Sequence, residues 1–151
     1  MQPPSSPADP EGGHEVIAAN EGFYAAFEAL DLPAMGLIWS EHAPITCVHP
    51  GWALVAGRAP VLASWAGIFR GTERIKFVLH DVQAFVSAGA AWVVLIEEIE
   101  AQQGEQVVHA YALATNLFLR EDGAWRLVHH HAAPTATPPP EKPAATRRTL
   151  H

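Results

Sequence analysis

The sequence contains a single cysteine, Cys47, among its 151 residues. One cysteine forms no internal disulfide and builds no cysteine-based zinc site. Cys47 lies in an apolar stretch, as is typical of a small buried hydrophobic residue. A nucleophilic cysteine needs an activating neighbour, and His49, two residues further along, is the candidate for that role.

Basic residues are also scarce. The chain has 9 Lys and Arg against 16 Asp and Glu, and its formal net charge is -7. It therefore lacks the basic surface that neutralises phosphates, and we expect no nucleic acid partner. No apolar run approaches the ~18 residues of a membrane-spanning helix, and the N-terminal sequence lacks the basic start and apolar run of a signal peptide. We expect a cytoplasmic protein without a membrane partner.

Both ends of the chain differ in composition from its middle. Residues 1–13 are mainly Pro, Ser, Gly and acidic residues, and residues 135–151 include Pro138-Pro139-Pro140. These compositions predict a disordered N-terminal tail and a Pro-rich disordered C-terminal tail. Residues 14–134 between them are enough for one domain with a hydrophobic core.

The hydrophobic periodicity predicts helices first and a sheet afterwards. The predicted helices cover residues 14–30, a short segment starting at Asp31, and residues 58–69. Asp31 is the candidate N-cap of the second helix, with Pro33 in its first turn. The predicted strands are residues 45–49, 75–86, 91–101, 106–120 and 125–132, with Asp122-Gly123 as a two-residue hairpin turn. Helices on one face of an antiparallel sheet define an α+β domain.

Several short stretches occur in an order and spacing that characterise one superfamily. They are Phe23 to Leu32 (FYAAFEALDL), Cys47 to Trp52 (CVHPGW), Gly57-Arg58, Ser64 to Phe69 (SWAGIF), Ala91 to Glu97 (AWVVLIE), Ala114 to Phe118 (ATNLF) and Gly123 to Pro134 (GAWRLVHHHAAP). With these residues the chain resembles the NTF2-like superfamily, and within it the SnoaL-like, ketosteroid-isomerase-like domains.

The resemblance implies a cone-shaped fold, in which three N-terminal helices wrap a curved antiparallel sheet around a pocket. It also implies a homodimer formed through the outer face of the sheet. The partner that we expect in the pocket is a small apolar ligand. The superfamily includes isomerases, cyclases, transport factors and assembly domains, so the fold by itself does not fix the activity.

His49 is the first candidate catalytic residue. In steroid isomerases of this superfamily an Asp-Pro pair ends the corresponding strand, and its Asp is the general base; here the pair is His49-Pro50. An imidazole has an ordinary pKa of ~6.5 and can serve as a base at neutral pH. The alternative is a histidine that only holds the turn. The same isomerases carry a Tyr on the first helix, where Phe23 stands here; Tyr24 is one residue and ~100° away, which predicts that it points elsewhere.

The run His129-His130-His131 ends the last predicted strand. Because side chains alternate along a strand, His129 and His131 share one face and His130 takes the other. A two-residue turn at Asp122-Gly123, which we favour, pairs Glu121 with Ala124 and places Asn116 opposite His129. A three-residue loop would instead place Asn116 opposite Val128 and swap the faces. We therefore expect His49, Asn116, His129 and His131 to form the catalytic group, with Glu97 as a proton partner. A structural or interface role is the alternative for this cluster.

Aromatic residues supply the candidate ligand contacts. Trp52, in the loop beside His49, is the best candidate for the pocket lip, whereas Trp65 is a candidate for either the pocket or the core. Glu97 and His130 complete the predicted ligand-binding set. His49, His129 and His131 offer the three nitrogens of some zinc sites, but no pattern of supporting partners accompanies them, and we predict no metal and no cofactor.

The sequence leaves two functions open. One is an isomerase- or cyclase-like enzyme that carries out acid–base chemistry on an apolar, carbonyl-bearing ligand. The other is a non-catalytic dimeric domain that binds a ligand or serves assembly. Carbonic anhydrases of the iota class share this fold type and carry His-His-His-Ser-Ser, but this chain has Ala132-Ala133 in place of the two serines.

Overall fold

A computed structural model describes residues 10–136 and 138–139 of the chain. The helices are α1 (Pro10–Ala29), α2 (Leu32–Ile38) and α3 (Arg58–Arg70). The strands are β1 (Thr46–Val48), β2 (Val55–Ala56), β3 (Arg74–Ser87), β4 (Ala90–Gln103), β5 (Gln106–Glu121) and β6 (Ala124–Thr135). Helix α1 begins before the predicted residue 14, and residues 1–9, 137 and 140–151 of the two predicted tails lie outside the described residues.

The six strands form one curved, open sheet in the order β2-β1-β6-β5-β4-β3. Strands β3 to β6 are an antiparallel meander, as predicted. Strand β1 pairs antiparallel with β2 but parallel with β6, so the sheet is mixed. The predicted α+β class with three helices against a sheet is confirmed.

The helices cover one face of the sheet, which we call the inner face; the opposite face is the outer face. Helix α1 packs on β3, β4 and β6, while α3 packs on β1 and β2. The aromatic side chains of Phe23, Trp39 and Trp65 are almost completely buried in this layer. Asp31 caps α2 as predicted, because its Oδ1 accepts a hydrogen bond of 3.1 Å from the backbone N–H of Ala34.

The β5–β6 hairpin shows why the predicted register is wrong. Asp122 (φ 53°) and Gly123 (φ 82°) form the predicted two-residue turn, and Glu121 pairs with Ala124. Leu117 then pairs with His129 while Phe118 pairs with Leu127, which leaves one extra residue, Val128, as a β-bulge. The bulge shifts the rest of the strand by one residue, so Asn116 lies opposite His130 and not opposite His129.

Within the described residues, no helix combines the length and apolar character needed to cross a membrane.

Candidate active site

A cavity of about 410 Å³ lies between the inner face of the sheet, the end of α3 and the loop that follows β1. Its walls are mainly apolar and include Phe27, Ile68, Phe77 and Ile99. The polar side chains that line it are His49, Thr72, Glu97, Gln103 and His130. Its volume lies within the ~300–1,000 Å³ of typical small-molecule sites, and few polar groups among apolar walls are also typical of them.

His49 is held by the turn that the sequence predicts after β1. The C=O of His49 accepts a hydrogen bond of 2.8 Å from the N–H of Trp52, and Gly51 has φ 80°, as expected for a type II turn with Pro then Gly at its centre. The imidazole lies edge-on to Trp52 and Trp65, with ring centroids 4.7 Å apart in both pairs. Both the turn and the aromatic contacts therefore fix the ring beside the cavity.

Hydrogen bonding assigns the protonated nitrogen of His49. Ser64 donates its hydroxyl proton to the C=O of Val61 at 2.6 Å, and its oxygen lies 2.9 Å from Nε2 of His49. Because a hydroxyl has one proton, the Ser64 oxygen accepts from Nε2–H, and Nδ1 keeps its lone pair. Burial lowers the pKa of His49 to about 4, so this imidazole is neutral at pH 7. Burial also raises the pKa of the neighbouring Cys47 to about 12, which leaves no thiolate nucleophile.

Glu97 is a buried carboxyl group in the cavity wall, only 2 % exposed. Burial raises its pKa to about 7, although a hydrogen bond from Tyr24 acts in the opposite direction. The Tyr24 hydroxyl donates to Oε2 of Glu97 at 2.5 Å, and burial and the Glu97 charge hold the pKa of Tyr24 well above its usual range. Glu97 is therefore present in both protonation states near neutral pH.

Asn116 connects helix α1 to His130. Its Nδ2 donates to Oδ1 of Asn20 at 2.8 Å and lies 3.3 Å from the Tyr24 hydroxyl oxygen. Its Oδ1 lies 2.6 Å from Nδ1 of His130. Asn20, Asn116 and His130 are all at least 98 % buried, and burial lowers the pKa of His130 to about 3. A neutral imidazole and a protonatable carboxyl group thus share one buried polar network.

The structure brings together only part of the predicted catalytic group. His49, Glu97 and His130 line the cavity, and Asn116 contacts His130 from behind. His129 and His131 lie on the outer face, where Nδ1 of His129 is 2.6 Å from the Thr46 hydroxyl and His131 is exposed. The expectation that these two histidines join Asn116 is wrong, because the bulge turns His130 inward instead.

The two predicted tryptophan contacts have different positions. Trp52 is 48 % exposed and lines the cavity at its edge, as predicted for a pocket lip. Trp65 is fully buried and packs against His49, Phe23 and Phe27. Trp65 therefore supports the His49 ring from the core side.

Two further residues belong to the site, Tyr24 and Asn20. The prediction that Tyr24 points elsewhere is wrong, because α1 buries a stripe wide enough to hold both Phe23 and Tyr24 in the core. Asn20 lies four residues before Tyr24 and so on the same helix face. The sequence signal for this part of the site is the spacing of Asn20 and Tyr24, a polar residue and a tyrosine four residues apart on a helix that packs against the sheet.

The described residues include one group of three side chains close enough to share a metal ion: His42, Glu121 and Asp122. Glu121 and Asp122 lie at the β5–β6 turn and His42 lies between α2 and β1, and none of the three lines the cavity. The three histidines of the zinc alternative do not converge, because His49 faces the cavity whereas His129 and His131 face outward.

The fold and the site together define a class of protein: an α+β domain in which a curved sheet and its helices enclose a cavity lined by buried, titratable side chains. The SnoaL-like domain family model matches residues 16–137. The chain belongs to this family, which agrees with the resemblance seen in its motifs.

Three similar proteins have different descriptions. A candidate dehydratase of the NTF2-like family from Streptomyces avermitilis is 34% identical, covers 86% of this chain and 100% of its own, and superposes with a TM-score of 0.81. A candidate calcium/calmodulin-dependent protein kinase type II association domain from Thiobacillus denitrificans is 35% identical over 78% of this chain and 93% of its own, with a TM-score of 0.65. The F-box protein SKIP8 of Arabidopsis thaliana is 26% identical over 118 residues, which are 78% of this chain. The chain spans 48% of the length of that curated relative.

Proposed function

We propose that this protein catalyses proton transfer next to the carbonyl group of a small, uncharged, mostly apolar ligand. The observation that carries the proposal is Glu97, a buried carboxyl group in an apolar cavity wall with a pKa raised to about 7. Strongly shifted titratable groups in a cavity are typical of catalytic sites. The 34% identity to a candidate dehydratase supports a carbon–oxygen lyase or a related isomerase.

Glu97 in its protonated form is the electrophile. Oε2 already accepts the Tyr24 proton, so the carboxylic proton resides on Oε1 and is donated to the ligand carbonyl oxygen. A carboxylic acid kept neutral by an apolar site is an effective donor to an enolate oxygen. The preorganised donor stabilises the charge that develops on that oxygen as the neighbouring C–H bond breaks.

His49 is the base. Its unprotonated Nδ1 takes the proton from the carbon next to the carbonyl, and the C–H electron pair forms the enolate. The resulting imidazolium returns the proton to a different carbon, which gives an isomer. Where a hydroxyl group stands β to the carbonyl, the proton goes instead to that hydroxyl, the C–O bond breaks, and water leaves.

The pH dependence follows from these protonation states. Glu97 must be protonated, so the rate falls as the pH rises through about 7. His49 must be neutral, so the rate also falls as the pH drops through about 4. Activity is therefore expected on a plateau between these two values.

Hydrogen–deuterium exchange of a simple ketone tests the proposal. We expect the protein to accelerate exchange of the α-protons of 2-tetralone in D2O, followed by proton NMR. Glu97→Leu should slow this exchange ~100-fold or more, the usual effect of losing one such donor. Glu97→Gln keeps a donor that does not titrate, so it should abolish the rate decrease near pH 7.

Glu98→Gln is the matched control, since Glu98 is the next residue of β4 and faces outward with His80 and His109. It should leave the exchange rate unchanged. His49→Ala should abolish exchange while binding of the ketone persists. Full exchange activity in Glu97→Leu would overturn the proposal.

The outer face supports a second role in self-association. Val78, Phe85, Val94 and Leu113 are large apolar residues on this face, and between 39% and 51% of each is exposed. Apolar patches of this kind mark interaction surfaces. A second copy of the chain is the proposed occupant, because one of the similar proteins is described as an association domain. A homodimer leaves the inner cavity free, so the two roles are compatible.

A further inference from the structure

The geometry points to the class of ligand: an uncharged hydroxy-carbonyl compound whose hydroxyl group donates a hydrogen bond to Nε2 of His130. The carbonyl half of this statement rests on the proposed function, which places the carbonyl at Glu97. The hydroxyl half rests on the hydrogen-bond network behind the cavity and does not depend on the proposed function.

Tyr24 fixes the orientation of the Asn116 side chain. The single hydroxyl proton of Tyr24 goes to Oε2 of Glu97 at 2.5 Å. The Tyr24 oxygen can therefore only accept from Asn116, 3.3 Å away, which must present its NH2 group. The same NH2 group donates to Oδ1 of Asn20 at 2.8 Å. The Asn116 carbonyl oxygen is left to face His130.

The orientation of Asn116 then fixes the tautomer of His130. Oδ1 of Asn116 is an acceptor, so Nδ1 of His130, 2.6 Å away, must carry the ring proton. Burial holds the pKa of His130 near 3, so Nε2 does not acquire a second proton at neutral pH. Nε2 therefore has a lone pair and no hydrogen-bond partner among the described residues, in a side chain that lines the cavity.

The remaining polar side chains of the cavity do not satisfy that lone pair. Thr72 donates its hydroxyl to the C=O of Ile68 at 2.7 Å, and Gln103 is exposed at the end of β4. Among the described residues, Nε2 of His130 is not one of the fully enclosed side-chain atoms that lack a partner, so this acceptor is reached from the cavity. A ligand that displaces solvent there leaves the lone pair unpaired unless it supplies a donor, and a buried acceptor without a partner costs free energy. A ligand hydroxyl group supplies that donor, while the ligand carbonyl accepts from Glu97.

The charge of the cavity excludes an anionic ligand. The residues that line it include neither Lys nor Arg. A carboxylate or phosphate placed there would lose its hydration without gaining a counter-ion. It would also lie beside Glu97, which ionises near pH 7. The ligand that fits this cavity is accordingly uncharged, both in its apolar part and at its polar end.

Three biphenyl probes test the inference by isothermal titration calorimetry at pH 7. They are 4-phenylphenol, its methyl ether 4-methoxybiphenyl, and biphenyl-4-carboxylate. The phenol should bind at least ~10-fold more tightly than the ether, which offers His130 no proton, and at least ~10-fold more tightly than the carboxylate. If either analogue bound to the cavity as tightly as 4-phenylphenol, the inference would be overturned.

A pair of variants assigns the selectivity to His130. His130→Leu should reduce the phenol-to-ether affinity ratio to about 1, while His129→Leu, on the outer face, should keep the ratio of the unmodified protein. Persistence of the ratio in a folded His130→Leu protein would contradict the assignment. Should that variant not fold, ¹⁵N NMR of the unmodified protein decides, since His130 must appear as the Nδ1–H tautomer.

None of the three probes has a C–H bond on a carbon next to a carbonyl group, so their binding does not depend on proton transfer. Phenol selectivity without ketone exchange would leave the ligand class in place and remove the proposed reaction. Ketone exchange without phenol selectivity would leave the proposed reaction in place and remove the ligand class.

Discussion

The Tyr24 hydroxyl group lies between two groups of the site and affects both. It donates to Glu97 on β4 and accepts from Asn116 on β5. The first contact lowers the pKa of Glu97 against the stronger effect of burial, and the second sets the direction of the Asn116 amide. One hydroxyl group thus influences both the acid of the proposed reaction and the acceptor for the ligand hydroxyl.

Tyr24→Phe should raise the pKa of Glu97 further above about 7, because it removes the hydrogen bond that favours the charged carboxylate. A hydrogen bond of about 1 kcal/mol corresponds to an upward shift of about 0.7 pH unit in the alkaline limb of the exchange rate. The pH profile of 2-tetralone exchange measures this shift. Tyr111→Phe, which changes the other tyrosine of the chain on the outer face, is the control and should leave the profile unchanged. A downward shift in Tyr24→Phe would contradict the expectation.

The β5–β6 hairpin is the element that sets the register of the site. Its turn has two consecutive residues with positive φ, Asp122 and Gly123, a conformation that glycine adopts without steric cost. A Cβ atom at Gly123 would meet no other atom within 4 Å, so a substitution there tests backbone conformation alone.

Gly123→Ala should destabilise the protein by about 1 kcal/mol, the usual cost of a left-handed conformation for a residue with a Cβ atom. Urea unfolding followed by tryptophan fluorescence gives the change in free energy. Gly89→Ala is the matched control: it lies in the β3–β4 turn, has no neighbour within 4 Å of its Cβ position, and is not among the positive-φ glycines. A loss of stability in Gly89→Ala as large as that in Gly123→Ala would show that the effect is not conformational.

The same hairpin shows how far sequence patterns reach. The turn residues Asp122-Gly123 predict the pairing of Glu121 with Ala124, because turn chemistry is local. The bulge at Val128 was not predictable from alternation, since Leu127 and Val128 are both apolar and both buried. Because of this one extra residue, His130 and not His129 lies opposite Asn116 and points toward the inner face. The helices, the His49 turn and Glu97 were accessible from periodicity and motif; the partners of Tyr24 required the helix-to-sheet packing.

At the scale of the whole molecule, the two faces of the sheet have different surroundings. The inner face is covered by helices and holds the cavity, whereas the outer face leaves apolar residues such as Val94 and Leu113 exposed. On the outer face, Oε1 of Glu98 lies 2.8 Å from Nε2 of His80 and Oε2 lies 3.0 Å from Nε2 of His109, so both carboxylate oxygens have a hydrogen-bond partner. A surface of this composition is compatible with burial against an identical surface.

Leu113→Lys should convert the proposed homodimer into a monomer, because a lysine at an apolar contact would be buried without a partner. Sedimentation velocity measures the mass of the protein before and after the change. Leu37→Lys is the control, since Leu37 is 70 % exposed and lies on α2, away from the outer face. A monomeric unmodified protein, or an unchanged dimer in Leu113→Lys, would remove the sheet face as the self-association surface.

The parallel pairing of β1 with β6 has a consequence for folding during synthesis. It joins residues 46–48 to residues 129–131, so nearly the whole domain must exist before this contact can close. Contacts between distant parts of a sequence form slowly, because the intervening chain loses entropy first. On the ribosome, a chain that ends before Ala124 contains the three helices and five of the six strands that the structure describes. It lacks the strand that positions β1, and so His49 joins the cavity only when synthesis of the domain is almost complete.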